Sequence, residues 1–361
     1  MNRKLLSLLL SAIACCGVSA QQTRTLTADK HNEYGIVYTL PHTSLCFTIE
    51  AQCTVEQAGE FYRYARKYVG ADDVVVADSR TWDITSATMT PQGSPDASRR
   101  YLMQLKSGQD ISVCVAGDGD GMLLAINKEA SIPEQEEFEP DDLPEPPSKQ
   151  AYLQYVDEDF LVSQSSAKRA QMLAGTLLAV RESRLSLSRG TAETMPADGH
   201  QLELMLQNLG RQEKALTQAF TGTSTTGTAT RTFTFTPDSA AQGRQVLCRI
   251  SELYGFTSPD DMSGEPVYIE LTYTDRPTLP VDEKGETKRL PKDAVIYALP
   301  ATAHYKLTWR GETICEGTTQ IAQGGTVFGL DPKLFTDKKA PSAALFDATT
   351  GALLSIEAKQ K

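Results

Sequence analysis

The chain has 361 residues, 46 of them acidic and 35 basic, for a formal net charge of −11. Losing Arg3 and Lys4 with an N-terminal leader leaves about −13, and a surface that acidic repels phosphate backbones. With no basic run and no basic patch interleaved with aromatics, nucleic acid is not an expected partner.

At the start of the chain, Arg3 and Lys4 precede an apolar run at residues 5–10 and the small-residue ending Val18, Ser19, Ala20. This reads as a signal peptide cleaved after Ala20. The run is too short to span a bilayer, and no later stretch reaches the roughly 18 apolar residues of a transmembrane helix. Export is expected, with a lipid anchor at Cys15 or Cys16 as the alternative. Five cysteines remain in the mature chain: Cys46, Cys53, Cys114, Cys248 and Cys315. Their number is odd, no CxxC occurs and each lies in an apparent strand, so buried free thiols are expected rather than a disulfide framework.

Residues 21–130 read as a β-rich unit carrying one helix. GIVYTLP (35–41) predicts a strand ending at Pro41, which has no N–H to donate to a ladder. Residues 43–54 alternate, placing Leu45, Phe47, Ile49, Ala51 and Cys53 on one face and Cys46 on the other. Residues 57–69 change to helical spacing at Phe61, Tyr64, Ala65 and Tyr68, with Gly70 as the stop. Short strands follow at 73–78, 81–90, 100–105, 111–115 and 122–126, with GSPD (93–96) and GDGDG (117–121) as turns.

Residues 131–150 hold seven acids and several prolines, the composition of an extended, solvated linker. The next segment, 151–222, predicts an antiparallel helical hairpin. Its first helix is striped by Leu173, Leu177 and Val180; the second, capped by Asp198, is striped by Leu202, Met205, Leu206, Leu209, Leu216 and Phe220. Strands return over 223–275, a linker or long loop occupies 276–292, and 293–361 read as a second, shorter β unit.

That second unit opens on AVIYALP (294–300), which repeats GIVYTLP, and each copy closes alike, on GMLLAI (121–126) and GALLSI (351–356). Two boundary motifs in one order imply duplication. From Pro to Gly the first copy is 29 residues longer, an excess expected to include the helix at 57–69. The expected fold is α+β: two related small antiparallel β-rich units, sandwich or barrel-like, flanking a central helical hairpin.

No site is declared by motif. The four histidines, His31, His42, His200 and His304, show no HExxH or HxH spacing, and zinc requires three or four converging ligands. GDGDG has Asp118 and Asp120, but Met122 takes the place of the next oxygen ligand of a calcium loop, so a turn is the simpler reading. Nucleophile elbow, P-loop and dinucleotide fingerprints are absent, and neither metal nor cofactor is expected. Arg181 and Arg184, one helical turn apart with Glu182 beside them, are the one candidate anion site; structural ion pairs near a helix C-terminus are the competing explanation.

GIVYTLP, FYRYARKY (61–68), RESR (181–184), MPADG (195–199) and DDMSGEP (260–266) together resemble the exported bacterial family called domain of unknown function 4831. The resemblance implies a periplasmic or outer-surface location and brings no activity, substrate or catalytic residue. The expected protein is a non-enzymatic binding or structural module, its partner a protein, peptide or glycan of unknown identity. A hydrolase with carboxylates between the two units is the alternative.

Overall fold

The computed structural model describes residues 24–25, 35–104, 111–116, 121–132, 144–239, 243–279, 281, 283, 286–287, 290–291, 294–337 and 340–358. Residues 1–20, expected to be a signal peptide, the first four residues of GDGDG and most of the acidic linker lie outside these.

The fold is β-rich, with two sheets and a helical layer. The first sheet is built on β2 (Gly35–Gln57), which follows the two-residue β1 (Arg24–Thr25) and pairs antiparallel with β3 (Ser79–Gln104). Between them, a 3-10 turn (Tyr62–Tyr64) leads into α1 (Ala65–Tyr68). β4 (Val113–Ala116) and β5 (Met122–Ile126) complete the N-terminal part. A 3-10 turn (Ala151–Tyr155), α2 (Glu158–Val162), α3 (Ser166–Arg189) and α4 (Gly199–Thr221) precede β6 (Thr223–Phe235), which pairs with β2. The second sheet holds β7 (Gly243–Ser251), β8 (Gly255–Thr257), β9 (Gly264–Asp275), β10 (Val295–Trp309) and β11 (Glu312–Leu330), in the order β11-β10-β9-β7-β8. After α5 (Lys333–Thr336), β12 (Ser342–Phe346) and β13 (Leu353–Ala358) return to the first sheet, whose order is β1-β3-β2-β5-β12-β13.

Alternation along β2 explains how the sheets stack. Leu45, Phe47, Ile49, Ala51 and Cys53 are buried against Leu247, Val267, Ile269, Tyr305 and Leu307 of the facing sheet, and the intervening residues turn outward. Each such large side chain contributes about 1.5–3 kcal/mol by leaving water. A second cluster joins Tyr38, Leu40 and Ile126 to Val295, Ala298, Phe335 and Phe346. The Tyr38 hydroxyl is sealed inside it, donating to the Ile296 carbonyl (3.1 Å) and accepting from the Ile296 amide (2.9 Å). Burial pushes that phenol far above its ordinary pKa.

Several expectations change. Pro41 does not end a strand; β2 runs through it, because the ladder with β3 resumes at Pro41↔Pro95 after a register shift and residues 38–41 stay buried. Residues 81–90 and 100–104 belong to one strand, β3, while 73–78 are not a strand at all. GSPD is no turn, since Gly93, Ser94 and Pro95 pair with Thr43, His42 and Pro41. The helix at 57–69 is reduced to the 3-10 turn and α1, although Phe61 and Ala65 are buried as their spacing implied. Asp198 caps α4 as expected, its Oδ1 accepting from Gln201 N at 2.8 Å, and α3 has a cap the sequence reading did not name, Ser165 Oγ accepting from Lys168 N at 3.3 Å. The helices are more than a hairpin, because Leu173, Leu177, Leu216 and Phe220 share their cluster with Phe61, Tyr152 and Phe160.

The largest departure concerns the two units, which are not separate bodies flanking the helices: β12 and β13 close the first sheet through β5. Equivalent residues nevertheless make equivalent bonds. Thr39 N donates to Gly121 O (2.9 Å), and Ala298 N to Gly351 O (3.0 Å), each beside a parallel bridge, Thr39↔Met122 and Ala298↔Ala352. Gly351 has φ +72°, and a Cβ there would meet Pro41 Cδ at 2.7 Å. The arms differ at their far ends: β2 and β3 are joined by residues 58–78, β10 and β11 by Arg310 and Gly311 alone. Both residues have positive φ, 50° and 86°, as a two-residue hairpin turn requires.

Candidate functional site

At the repeated Leu-Pro step each hairpin makes the same irregularity. Thr39 pairs with Arg100 and Pro41 with Pro95; Leu299 pairs with Thr326 and Ala301 with Ile321. A proline in the through-strand removes a ladder donor, and the opposite strand loops out. The two bulges, around 96–99 and 322–325, converge on one open cleft of about 590 Å³, lined by His42, Asp96, Arg99, Tyr101, Asp238 and Gln323, with Ser98, Ser239 and Thr326 between them.

One wall is fixed by Thr43 and Gln323. Thr43 is fully buried; its hydroxyl donates to Thr349 O (2.9 Å) and accepts from Ala322 N (3.0 Å). The Gln323 amide copies a strand, its Oε1 accepting from Thr43 N (3.0 Å) and its Nε2 donating to Thr43 O (2.7 Å) and Pro237 O (2.8 Å). Side chains thus supply what the broken ladder lacks.

The charges of the cleft are tied to the protein. Arg99 Nε donates to Asp96 Oδ2 at 2.8 Å, and its other nitrogens reach Pro41 O and Ala322 O, one carbonyl from each copy of the repeat. Burial disfavours the Asp96 carboxylate, but bonds from the Ser98 hydroxyl and amide and from Arg99 outweigh it and hold its pKa below the usual range. Tyr101 packs on Tyr38, ring centres 5.8 Å apart, and burial raises its phenol. The Asp238 carbonyl accepts from the Tyr273 hydroxyl at 3.2 Å, and its carboxylate, which lines the cleft, accepts from the Ser239 hydroxyl at 3.3 Å.

Arg181 and Arg184 lie elsewhere, on α3. Both bind one carboxylate of α4, Glu213, at 2.9 and 2.5 Å. Glu213 is largely buried while the arginines are partly exposed, so the trio carries one surplus positive charge. His42 borders the cleft, His200 is exposed in the first turn of α4 and His304 lies on β10; His31 is outside the described residues. Among the described residues no three His, Cys, Asp or Glu side chains converge as a metal site, and no helix is long and apolar enough to cross a membrane. The five cysteines are free. Cys53 and Cys248 are buried, and burial pushes the Cys248 thiol up to about 12.

Nothing in the sequence singled out His42, Asp96, Arg99 or Gln323. The usable sign was the repeated Leu-Pro, which marks both bends, but the bulges belong to the opposite strands and emerge only once pairing is known.

Fold and cleft define a two-sheet, β-rich protein with a helical layer and an open concavity where two like bulges meet. The chain belongs to the family described as domain of unknown function (DUF4831), whose profile matches residues 34–354, nearly its whole length. No curated protein and no solved structure matches it.

Proposed function

We propose that the chain is an exported, non-enzymatic binding protein of the bacterial envelope, built by internal duplication, whose ligand sits in the cleft between the two bulges. The observation that carries this reading is the state of the cleft's charges. Asp96 and Arg99 neutralise each other and brace the backbone, so the groups left to meet a ligand, His42, Tyr101, Asp238, Ser239 and Thr326, form a mixed set of donors and acceptors with a single carboxylate. Such a lining suits a polar glycan or peptide better than a phosphate or a lipid. The leader at residues 1–20 supports export, and the equivalent bonds of the two Leu-Pro hairpins support duplication.

A hydrolase is the second reading, because Asp96 and Asp238 share the cleft. General acid catalysis wants a raised carboxyl pKa, and Asp96 is lowered, so the acid role would fall to Asp238. Calorimetric titration of envelope-derived oligosaccharides and peptides separates the readings. The binding reading expects one of them to bind intact, and His42→Ala and Asp238→Ala to weaken it at least about tenfold, or 1.4 kcal/mol, at unchanged melting temperature. Cleavage of the ligand, abolished in Asp238→Asn, would establish the hydrolase instead; binding indifferent to both alanine variants would remove the cleft from consideration.

A further inference from the structure

Three long strands border the sheets with one side lacking a full-length ladder partner among the described residues: β3, β11 and β6. Proteins guard such borders with prolines, charges and bulges, because unpaired backbone groups are a template for another strand. β3 carries Pro91, Pro95, Asp83 and two register shifts against β2. β11 carries Glu312, Glu316 and its bulge.

β6 has fewer of these: the ring of Pro144 lies against Gly227. Its thirteen residues pair with β2 from Leu45↔Phe235 to Gln57↔Thr223 without a shift, contain no proline, and hold one charge, Arg231. Ser224, Thr226, Thr228, Thr230, Thr232 and Thr234 form one face of it.

We infer that the outer edge of β6 is an interface, and that its occupant is β6 of a second copy, joined antiparallel about a two-fold axis so that the first sheet continues from one copy into the other. Two observations favour this occupant. A chain near −13 repels its own copies almost everywhere, but β6 brings no acid to the seam, and a basic peptide would find no carboxylate on it. The side chains are also self-matching: antiparallel registers that keep the faces aligned set Ser and Thr opposite Ser and Thr. Such cross-strand hydroxyl pairs are stabilising, and β6 already makes one with β2, Thr48 to Thr232 at 3.0 Å. A two-fold seam of this kind closes on itself and ends at a dimer.

Sedimentation of the mature chain from Gln21, over a wide concentration range, tests it. The expected mass is twice that of the monomer. T226K, T228K and T230K combined set like charges across the seam while leaving the Thr48–Thr232 pair and the backbone ladder to β2, and should halve the mass with an unchanged circular dichroism spectrum. A wild-type chain that stays monomeric throughout would overturn the proposal, and so would a lysine variant that stays dimeric, since the interface would then lie elsewhere. Hydrogen exchange of the wild type decides the matter should the lysine variant not fold. Alternate amides of 223–235 should gain protection as concentration rises; constant protection, or protection gained only on adding an unrelated extended peptide, refutes self-pairing.

Discussion

Thr43→Val isolates the junction of the two bulges, because valine keeps the shape of threonine and deletes only the hydroxyl. That hydroxyl serves Thr349 O and Ala322 N, and the residue is fully buried. Without it one carbonyl and one amide lose their partner in a site closed to water, each costing about 1–3 kcal/mol. Burying a methyl in its place returns roughly 1 kcal/mol. The net expectation is a loss of about 1–5 kcal/mol, or a melting temperature lowered by roughly 2–7 °C at the modest sensitivity of a chain this long. Differential scanning fluorimetry measures the shift and urea unfolding the free energy. Thr43→Ser, which keeps both bonds, should lose less than Val. If Val matches the wild type while Ser falls, the methyl matters more than the hydroxyl, and the account of the junction as a polar substitute for a broken ladder fails.

Two further predictions concern charge. Because the folded-state pKa of Asp96 lies below its unfolded value, its ion pair and hydrogen bonds stabilise fully above about pH 4 and are lost as pH falls through the depressed value; Asp96→Asn should therefore be less stable at pH 7 and should lose less on acidification, a difference that urea midpoints from pH 7 to pH 2 would show or exclude. Glu213→Gln removes the shared partner of Arg181 and Arg184, so stability should fall by about 1–2 kcal/mol while sulfate gains a stabilising effect beyond that of equal ionic strength; thermal shifts in sulfate against chloride that coincide for both proteins would rule out an anion site on this helix face.

Local rules located much of this protein. Alternation from Leu45 to Cys53 identified the core face of β2, and Asp198 placed the start of α4, because both effects act over a few residues. The family was legible in short motifs such as GIVYTLP. Whatever depended on pairing between distant segments was not. Pro41 looked like a stop because a single strand shows its missing donor but not the bulge in β3 that accommodates it. The GSPD composition is that of a turn, yet it lies opposite Pro41, where the bulge begins. The helix at 57–69 shrank because its apolar residues are held by Tyr152, Phe160 and Phe220 from other segments, which stabilise a short turn without a long helix. The cleft was hidden for the same reason: Arg99 and Gln323 stand 224 positions apart in the chain, and each stands out only beside the other copy's backbone.

The return of β12 and β13 to the N-terminal sheet also governs how the chain reaches this fold. The sheet begun near residue 35 gains its last strand only after residue 353 has been made. An emerging chain therefore carries an unfinished sheet throughout its synthesis, and the last strands must pair Leu345 with Ala125 across a loop of about 220 residues. High contact order of this kind slows folding and prolongs the exposure of open strands. On the export proposed above, late completion is an advantage, because a sheet that cannot close early stays compatible with passage through a membrane.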